Sequence, residues 1–392
     1  MKKFVWSMAV MLMGVSMLTS CLSDNDNDND NTYPVIVSNG VYVVCGGNEY
    51  NNIDGSLTYY DYKTKTATNN VFAATNGRRL GLTPNDALVY GDKMYIVITG
   101  ENTVEVVDAK TLKSIKQIRT TDLMGVEKGV HPRHITCNDG MIYVSTYGAS
   151  QATLDEYGYV ESTSGNGYVA AIDTLNFSLK ETYQAGSYPE GVAVYGKLLF
   201  VCNSDYSACT KASISIINME TKESKDYKNE NIVNPTKIAV TSDYSTYYMY
   251  VLDMGNYADK ASGMFYIDGY TGSCNRLFDA SFVTFYDRYI YAVNAPYGAT
   301  NHEYVRYDIL SRLKNTFTSD GVYSPNTIGV DPISGHVFVG SYRQNPDSGY
   351  PAYSGNAYVA EYDLTGAKVN EFDCGVGPNA IVFNTGIEYV KY

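Results

Sequence analysis

PNDALVYGDKMYIVITGENTVEVVD, residues 84–108, carries three marks in a fixed order. Pro84 opens a Pro-x-x-aliphatic step. Met94-Tyr95-Ile96-Val97 follows as a short aromatic-aliphatic strand, and a second apolar run then closes on Val107-Asp108. Alternating and continuous apolar runs of this length, separated by Gly, Asp and Asn, read as β-strands joined by turns.

The same marks recur along the chain. The aromatic-aliphatic strand returns as Val41-Tyr42-Val43-Val44, Ile142-Tyr143-Val144, Leu199-Phe200-Val201, Met249-Tyr250-Val251, Ile290-Tyr291-Ala292 and Val337-Phe338-Val339. The acidic close returns at Asp61, Asp173, Asp268, Asp308 and Asp363, with Asn218 in its place once. The proline step returns at Pro132, Pro189, Pro235, Pro325 and Pro378, and Ala280-Ser281-Phe282-Val283 stands where one copy lacks it. From Pro84 to Pro235 the prolines lie 48, 57 and 46 residues apart. A four-stranded antiparallel blade needs about 40–50 residues, and repeats of that period point to a propeller. Helical stripes are weak throughout. The expected fold is therefore all-β, a seven-bladed β-propeller of four-stranded antiparallel blades. The chain enters at a second strand and finishes on an innermost one, Asn379 to Phe383, so one blade combines both termini and closes the ring. Glu388 to Tyr392 match none of the marks.

Ahead of the repeats stands an address. Lys2 and Lys3 precede an apolar run from Phe4 to Leu18, too short to span a bilayer comfortably, which ends in Leu18-Thr19-Ser20-Cys21. This resembles a bacterial lipobox, so residues 1–20 are expected to be a lipoprotein signal peptide and Cys21 the lipidated residue. Alternating Asn and Asp up to Asn31 cannot form a core, and residues 21–34 read as an acidic tether ahead of a propeller over 35–392. An acidic stretch after the lipidated cysteine also resembles the surface-export signal of lipoproteins in Gram-negative gut anaerobes. The expected place is the outer membrane, facing the cell exterior, with the lipid as the sole membrane contact.

Composition narrows the partners. The 392 residues hold 29 Lys+Arg against 42 Asp+Glu, and without Lys2 and Lys3 the formal charge becomes −15. Such a surface repels phosphate backbones, so nucleic acid is not an expected partner. Tyrosine is abundant at 39 residues, while the single tryptophan, Trp6, falls in the leader.

In a blade of alternating strands, the loop after the second strand and the proline loop open on one face. The proline loops ring the central channel and bring Arg78, Arg79, Asn85, Asp86, His131, Arg133, His134, Tyr188, Glu190, Lys237, Tyr323, Asn326 and Asn379 to its mouth. Longer loops around them carry Tyr50, Tyr147, Tyr157, Tyr159, Tyr206, Tyr257, Tyr297, Tyr342, Tyr350 and Tyr353. Tyrosines mixed with Asn, Asp and Arg suit a broad polar ligand with flat faces, although tyrosines also serve simply to pack loops. His131-Pro132-Arg133-His134 has no thiol or carboxylate partner defined by spacing, so no metal and no cofactor is expected. Arg133 facing a ligand carboxylate or phosphate is the stronger reading. No G-x-S-x-G, Walker-type or H-E-x-x-H pattern occurs, and no catalytic residue is assigned. Export permits disulfides. Cys202 and Cys209 bracket one loop and form a candidate pair, and Cys45 with Cys374 near the ring closure form another.

The repeat resembles the YncE-like seven-bladed propellers. Gly55-Ser56-Leu57-Thr58-Tyr59-Tyr60-Asp61, with Val71-Phe72 and Asn76-Gly77-Arg78-Arg79-Leu80-Gly81, is similar to the first blade of surface propeller lipoproteins that include the BtuG-type proteins. The resemblance implies capture of a corrinoid, a vitamin B12-like ligand, and its delivery to a TonB-dependent outer-membrane transporter. Two other readings are a propeller hydrolase or lactonase acting on a sugar-type substrate, and a surface protein-interaction scaffold.

Overall fold

A proline can head a strand because the first residue owes no ladder hydrogen bond. In the computed structural model, six of the seven innermost strands begin at or next to the marked prolines: Pro84–Tyr90, Pro132–Asn138, Pro189–Tyr195, Pro235–Asp243, Ser324–Val330 and Pro378–Lys391. The remaining one, Phe282–Tyr286, starts inside the Ala-Ser-Phe-Val variant. The structure describes residues 32–149, 151–154, 160–205, 210–243, 246–256 and 258–391. The leader, Cys21 and most of the tether lie outside the described residues.

Seven four-stranded antiparallel sheets form the blades of a propeller. Blade 1 runs outward from Pro84–Tyr90 through Lys93–Ile98 and Thr103–Asp108 to Ser114–Arg119, with Ile96 opposite Ala87 on one side and Glu105 on the other. Blades 2 to 6 repeat this order from Pro132, Pro189, Pro235, Phe282 and Ser324. Blade 7 takes its innermost strand from Pro378–Lys391 and its others from Thr32–Cys45, Ser56–Asp61 and Thr66–Thr68, so the two ends of the chain close the ring as expected.

The second strands lie between two neighbours and two adjacent blades, which explains their unbroken apolar runs. Met94 to Ile98 are fully buried. Apolar clusters fill the gaps between successive blades. One joins Tyr95, Val104 and Ile118 to Ile135, Ile142 and Ile172, and another joins Tyr42, Val44 and Leu57 to Met94 and Ile96. Each such side chain contributes roughly 1.5–3 kcal/mol on full burial.

The acidic close has a local cause. Asp61, Asp108, Asp173, Asn218, Asp268 and Asp308 each accept the backbone N–H groups two and three positions later, and Asp363 accepts those of Thr365 and Ala367. These Asx turns connect the third strand to the outermost one in every blade.

Glu388–Lys391, which match no repeat mark, have a partner. The first and last strands continue past the ring as a ribbon in which Thr32 faces Lys391, Ile36 faces Ile387 and Ser38 faces Thr385. Thr32 lies inside the stretch read as tether. The ribbon extends from the ends of the inner strands opposite the prolines. Ser38 and Tyr62 there donate to Asp331, which sits in the turn after the innermost strand of blade 6. Thr32, the first of the described residues, therefore lies on the face opposite the proline loops.

Candidate functional site

At the channel mouth, the residues just after three consecutive prolines converge. His134 from blade 2 places Nδ1 2.9 Å from Asp86 Oδ2 of blade 1 and Nε2 3.2 Å from Glu190 Oε2 of blade 3. Arg133 Nε donates to both Glu190 oxygens, at 3.2 and 3.1 Å. Tyr147, in the loop after the second strand of blade 2, donates to Glu190 Oε1, and its ring lies 5.0 Å from the Arg133 guanidinium carbon. Tyr188 packs edge-on against Tyr147 at 5.1 Å. Lys237 from blade 4 acts on Asp86 through its charge. Asp86, Arg133, His134, Glu190 and Lys237, expected at the mouth from sequence, thus form one cluster with Tyr147 from the surrounding loops.

Its electrostatics follow from burial and pairing. Burial opposes charge on His134, but the hydrogen bonds it donates to Asp86 and Glu190 outweigh it and raise the imidazole pKa. Burial works against the Glu190 carboxylate too, yet the Arg133 charge and the His134 contact bring its pKa down to about 2. Asp86 is likewise lowered, its burial overcome by His134 and Lys237. Arg133, His134 and Lys237 thus meet Asp86 and Glu190 in one ionic cluster. The backbone here is strained as well. Thr83, His131 and Tyr188, each preceding a proline, hold φ of 54°, 53° and 51°.

Other expected residues serve the ring itself. Asn326 donates to the Pro378 carbonyl at 2.7 Å, Asn379 to that of Pro84 at 3.0 Å, and Asn85 to that of Arg133 at 2.7 Å. The asparagine after each of these prolines thus laces its blade to the next. His131 is exposed and its N–H is held by Asn102 at 2.7 Å, so the two histidines of the loop do not converge. Among the described residues no group of three His, Cys, Asp or Glu is arranged to hold a metal ion. Arg79 pairs with Asp54 at 3.1 Å on the loop face. Arg78 turns toward Glu105 at 2.7 Å and the Phe72 ring, in the groove between blades 7 and 1 and away from the channel.

The tyrosines gather across the mouth from the ionic cluster, on blades 5, 6 and 7. Tyr50 and Tyr297 are 97% and 96% exposed, and Tyr350 is 74% exposed. Tyr342 and Tyr353 pack at 5.0 Å, and Tyr323 donates to the Gly349 carbonyl. Asn48, not singled out by the sequence, ties the Tyr50 loop to the Tyr353 carbonyl at 3.0 Å, although the Asn-rich run Asn48 to Asn52 hinted at a structured turn. Cys202 is a buried free thiol. Cys209, Tyr157, Tyr159, Tyr206 and Tyr257 lie outside the described residues.

Comparison with known proteins agrees with this architecture. The chain is similar to Kuenenia stuttgartiensis hydrazine synthase, with a TM-score of 0.52 and 13% identity over 79% of this chain and 95% of that one. It is also similar to dihydro-heme d1 dehydrogenase NirN in complex with DHE, with a TM-score of 0.51 and 10% identity over 88% of this chain and 74% of that one. At such identities the likeness is one of fold. No curated protein matches the sequence. Residues 39–247, from the second strand of blade 7 into the second strand of blade 4, match the model of a domain of unknown function, DUF5074. The chain belongs to the DUF5074 family.

Proposed function

We propose that the protein is a non-catalytic surface lipoprotein, anchored through Cys21, that captures a small or medium polar nutrient on its loop face. It then passes the ligand to a TonB-dependent outer-membrane transporter. The ligand is a corrinoid. The observation that carries this reading is the division of one face into an ionic cluster, in which Arg133, His134 and Lys237 supply the cations, and exposed tyrosines led by Tyr50 and Tyr297. A corrinoid offers a broad ring edged with amide arms and one phosphate. Tyrosine rings suit the first and cationic donors the second. The exit of Thr32 on the opposite face supports the orientation, since a tether from Cys21 leaves the mouth pointing away from the membrane.

Binding is favoured over the hydrolase reading by the state of the carboxylates. A general acid needs a raised pKa, yet Asp86 and Glu190 are both held low. Asp253 is raised by burial, but the N–H groups of Val233, Asn234 and Gly255 occupy it.

Titration calorimetry of the mature protein with cyanocobalamin tests the proposal. Saturable heat with micromolar or tighter affinity is expected, and Arg133→Ala should weaken it. No heat at micromolar protein removes the corrinoid. Recovery from outer membranes of partners other than a transporter favours the scaffold reading instead.

A further inference from the structure

Two cysteines outside the mouth cluster meet where the ring closes. Cys45 ends the second strand of blade 7, opposite Ser56 and Pro378, and Cys374 ends the outermost strand of blade 6. Both are free thiols, fully buried in one apolar cluster with Val43, Phe338, Val359 and Phe372. The chain segments are in close contact. A methyl group placed on Gly375 would lie 3.2 Å from Cys45 Sγ. Gly46 N–H reaches the Gly377 carbonyl at 2.7 Å, and Gly375 N–H reaches Thr58 Oγ1 at 3.2 Å. Thr58 Oγ1, which holds the Gly375 N–H, is itself 4.0 Å from Cys45 Sγ, and the Cys374 side chain acts on the Cys45 thiol.

We propose that Cys45 and Cys374 form a disulfide that staples blade 6 to blade 7 and seals the ring. In the cell this rests on the export proposed above, because cytosolic thiols stay reduced. The oxidant is a dithiol–disulfide oxidoreductase or another small disulfide. One of the two cysteines, as its thiolate, attacks it and releases one thiolate of the oxidant, and the other cysteine then displaces the second from the mixed disulfide. The protein loses two protons and two electrons, and the oxidant is reduced to its dithiol. Both sulfurs are inaccessible once the ring is complete, which places the reaction at the docking of the final inner strand. The link spans most of the chain, the situation in which the loop-entropy model assigns a disulfide its largest effect.

Protein isolated from its own envelope is denatured in iodoacetamide and digested without reductant. In parallel, purified chain is reduced, denatured and refolded in an oxidised/reduced glutathione buffer, then treated identically. A peptide joining Cys45 to Cys374 is expected from both samples. Reduction should lower the thermal midpoint of the wild type and leave the Cys45→Ser/Cys374→Ser variant unmoved. The joined peptide from the refolded sample alone still supports the staple and counts against export. Alkylation of both cysteines in both samples overturns the proposal.

Discussion

The Asn379 side-chain amide donates to the Pro84 carbonyl oxygen at 3.0 Å, joining the innermost strand reached last by the chain to the one reached first. Asn326 and Asn85 make the equivalent reach across the neighbouring seams. A propeller has few other means of fixing its inner strands to one another, because each blade's backbone bonds are spent within its own sheet. These amides secure blades 6, 7, 1 and 2 at the channel.

Asn379→Ala should therefore act on stability. Loss of one satisfied, part-buried bond that leaves a carbonyl bare is expected to cost about 1–2 kcal/mol in denaturant unfolding. Ligand affinity of the folded variant should stay at the wild-type value. A loss of affinity without loss of stability would instead make Asn379 a ligand contact.

Glu190 is the hub of the mouth, shared by Arg133, His134 and Tyr147. Its side chain is only 6% exposed, so removal leaves the largely buried Arg133 without its carboxylate, while His134 keeps Asp86. Glu190→Ala should cost about 3 kcal/mol in urea unfolding, the scale seen when one partner of a buried pair is deleted. A change under about 1 kcal/mol would show that the cluster relaxes into solvent and is not rigidly held.

The pair His134 and Glu190 also sets a pH window. The raised His134 pKa contributes stability that is complete below its unfolded value of about 6.5 and is lost as pH climbs through the folded value. The lowered Glu190 pKa contributes stability that is complete above about 4.5 and is lost as pH falls toward about 2. The carboxylates facing His134 are Asp86 at 2.9 Å and Glu190 at 3.2 Å. Thermal midpoints should thus decline above about pH 6.5. His134→Gln should flatten that decline, and an unchanged slope in the variant would assign it to another group.

How far these features were legible in the sequence depends on whether their cause is local. Proline at the head of an inner strand and the aspartate of an Asx turn are dictated by the residues beside them, so blade count, strand order and ring closure could be read directly. Cluster membership was half legible. Asp86, Arg133, His134, Glu190 and Lys237 stand one or two residues after their prolines, and the ring symmetry then brings them together. Asn326 and Asn379 stand there too, yet their amides turn sideways to a neighbouring carbonyl, a choice set by the adjacent blade. Arg78 follows Gly77 at the end of the short helix Val71–Asn76, and the fully buried Glu105 captures it before it can reach the channel. Nothing in the repeat marks encodes where a side chain goes once a neighbouring blade offers it a partner.

The two faces of the ring can be separated by a pair of substitutions. Tyr297 projects into solvent on the loop face, so Tyr297→Ala should leave unfolding free energy within about 0.5 kcal/mol of wild type. Its loss should still weaken ligand binding about tenfold, which corresponds to roughly 1.4 kcal/mol of aromatic contact. Asp308 lies on the opposite face, 8% exposed, where it accepts Leu310 N–H at 2.9 Å and pairs with Arg288 at 3.0 Å. Asp308→Ala should lower stability by about 1–2 kcal/mol and leave binding unchanged. Asp308→Asn should recover much of that stability, because Asn218 makes the same turn in blade 3 with a neutral amide. If Asp308→Ala weakened binding as strongly as Tyr297→Ala, the loop face would lose its claim to be the ligand surface.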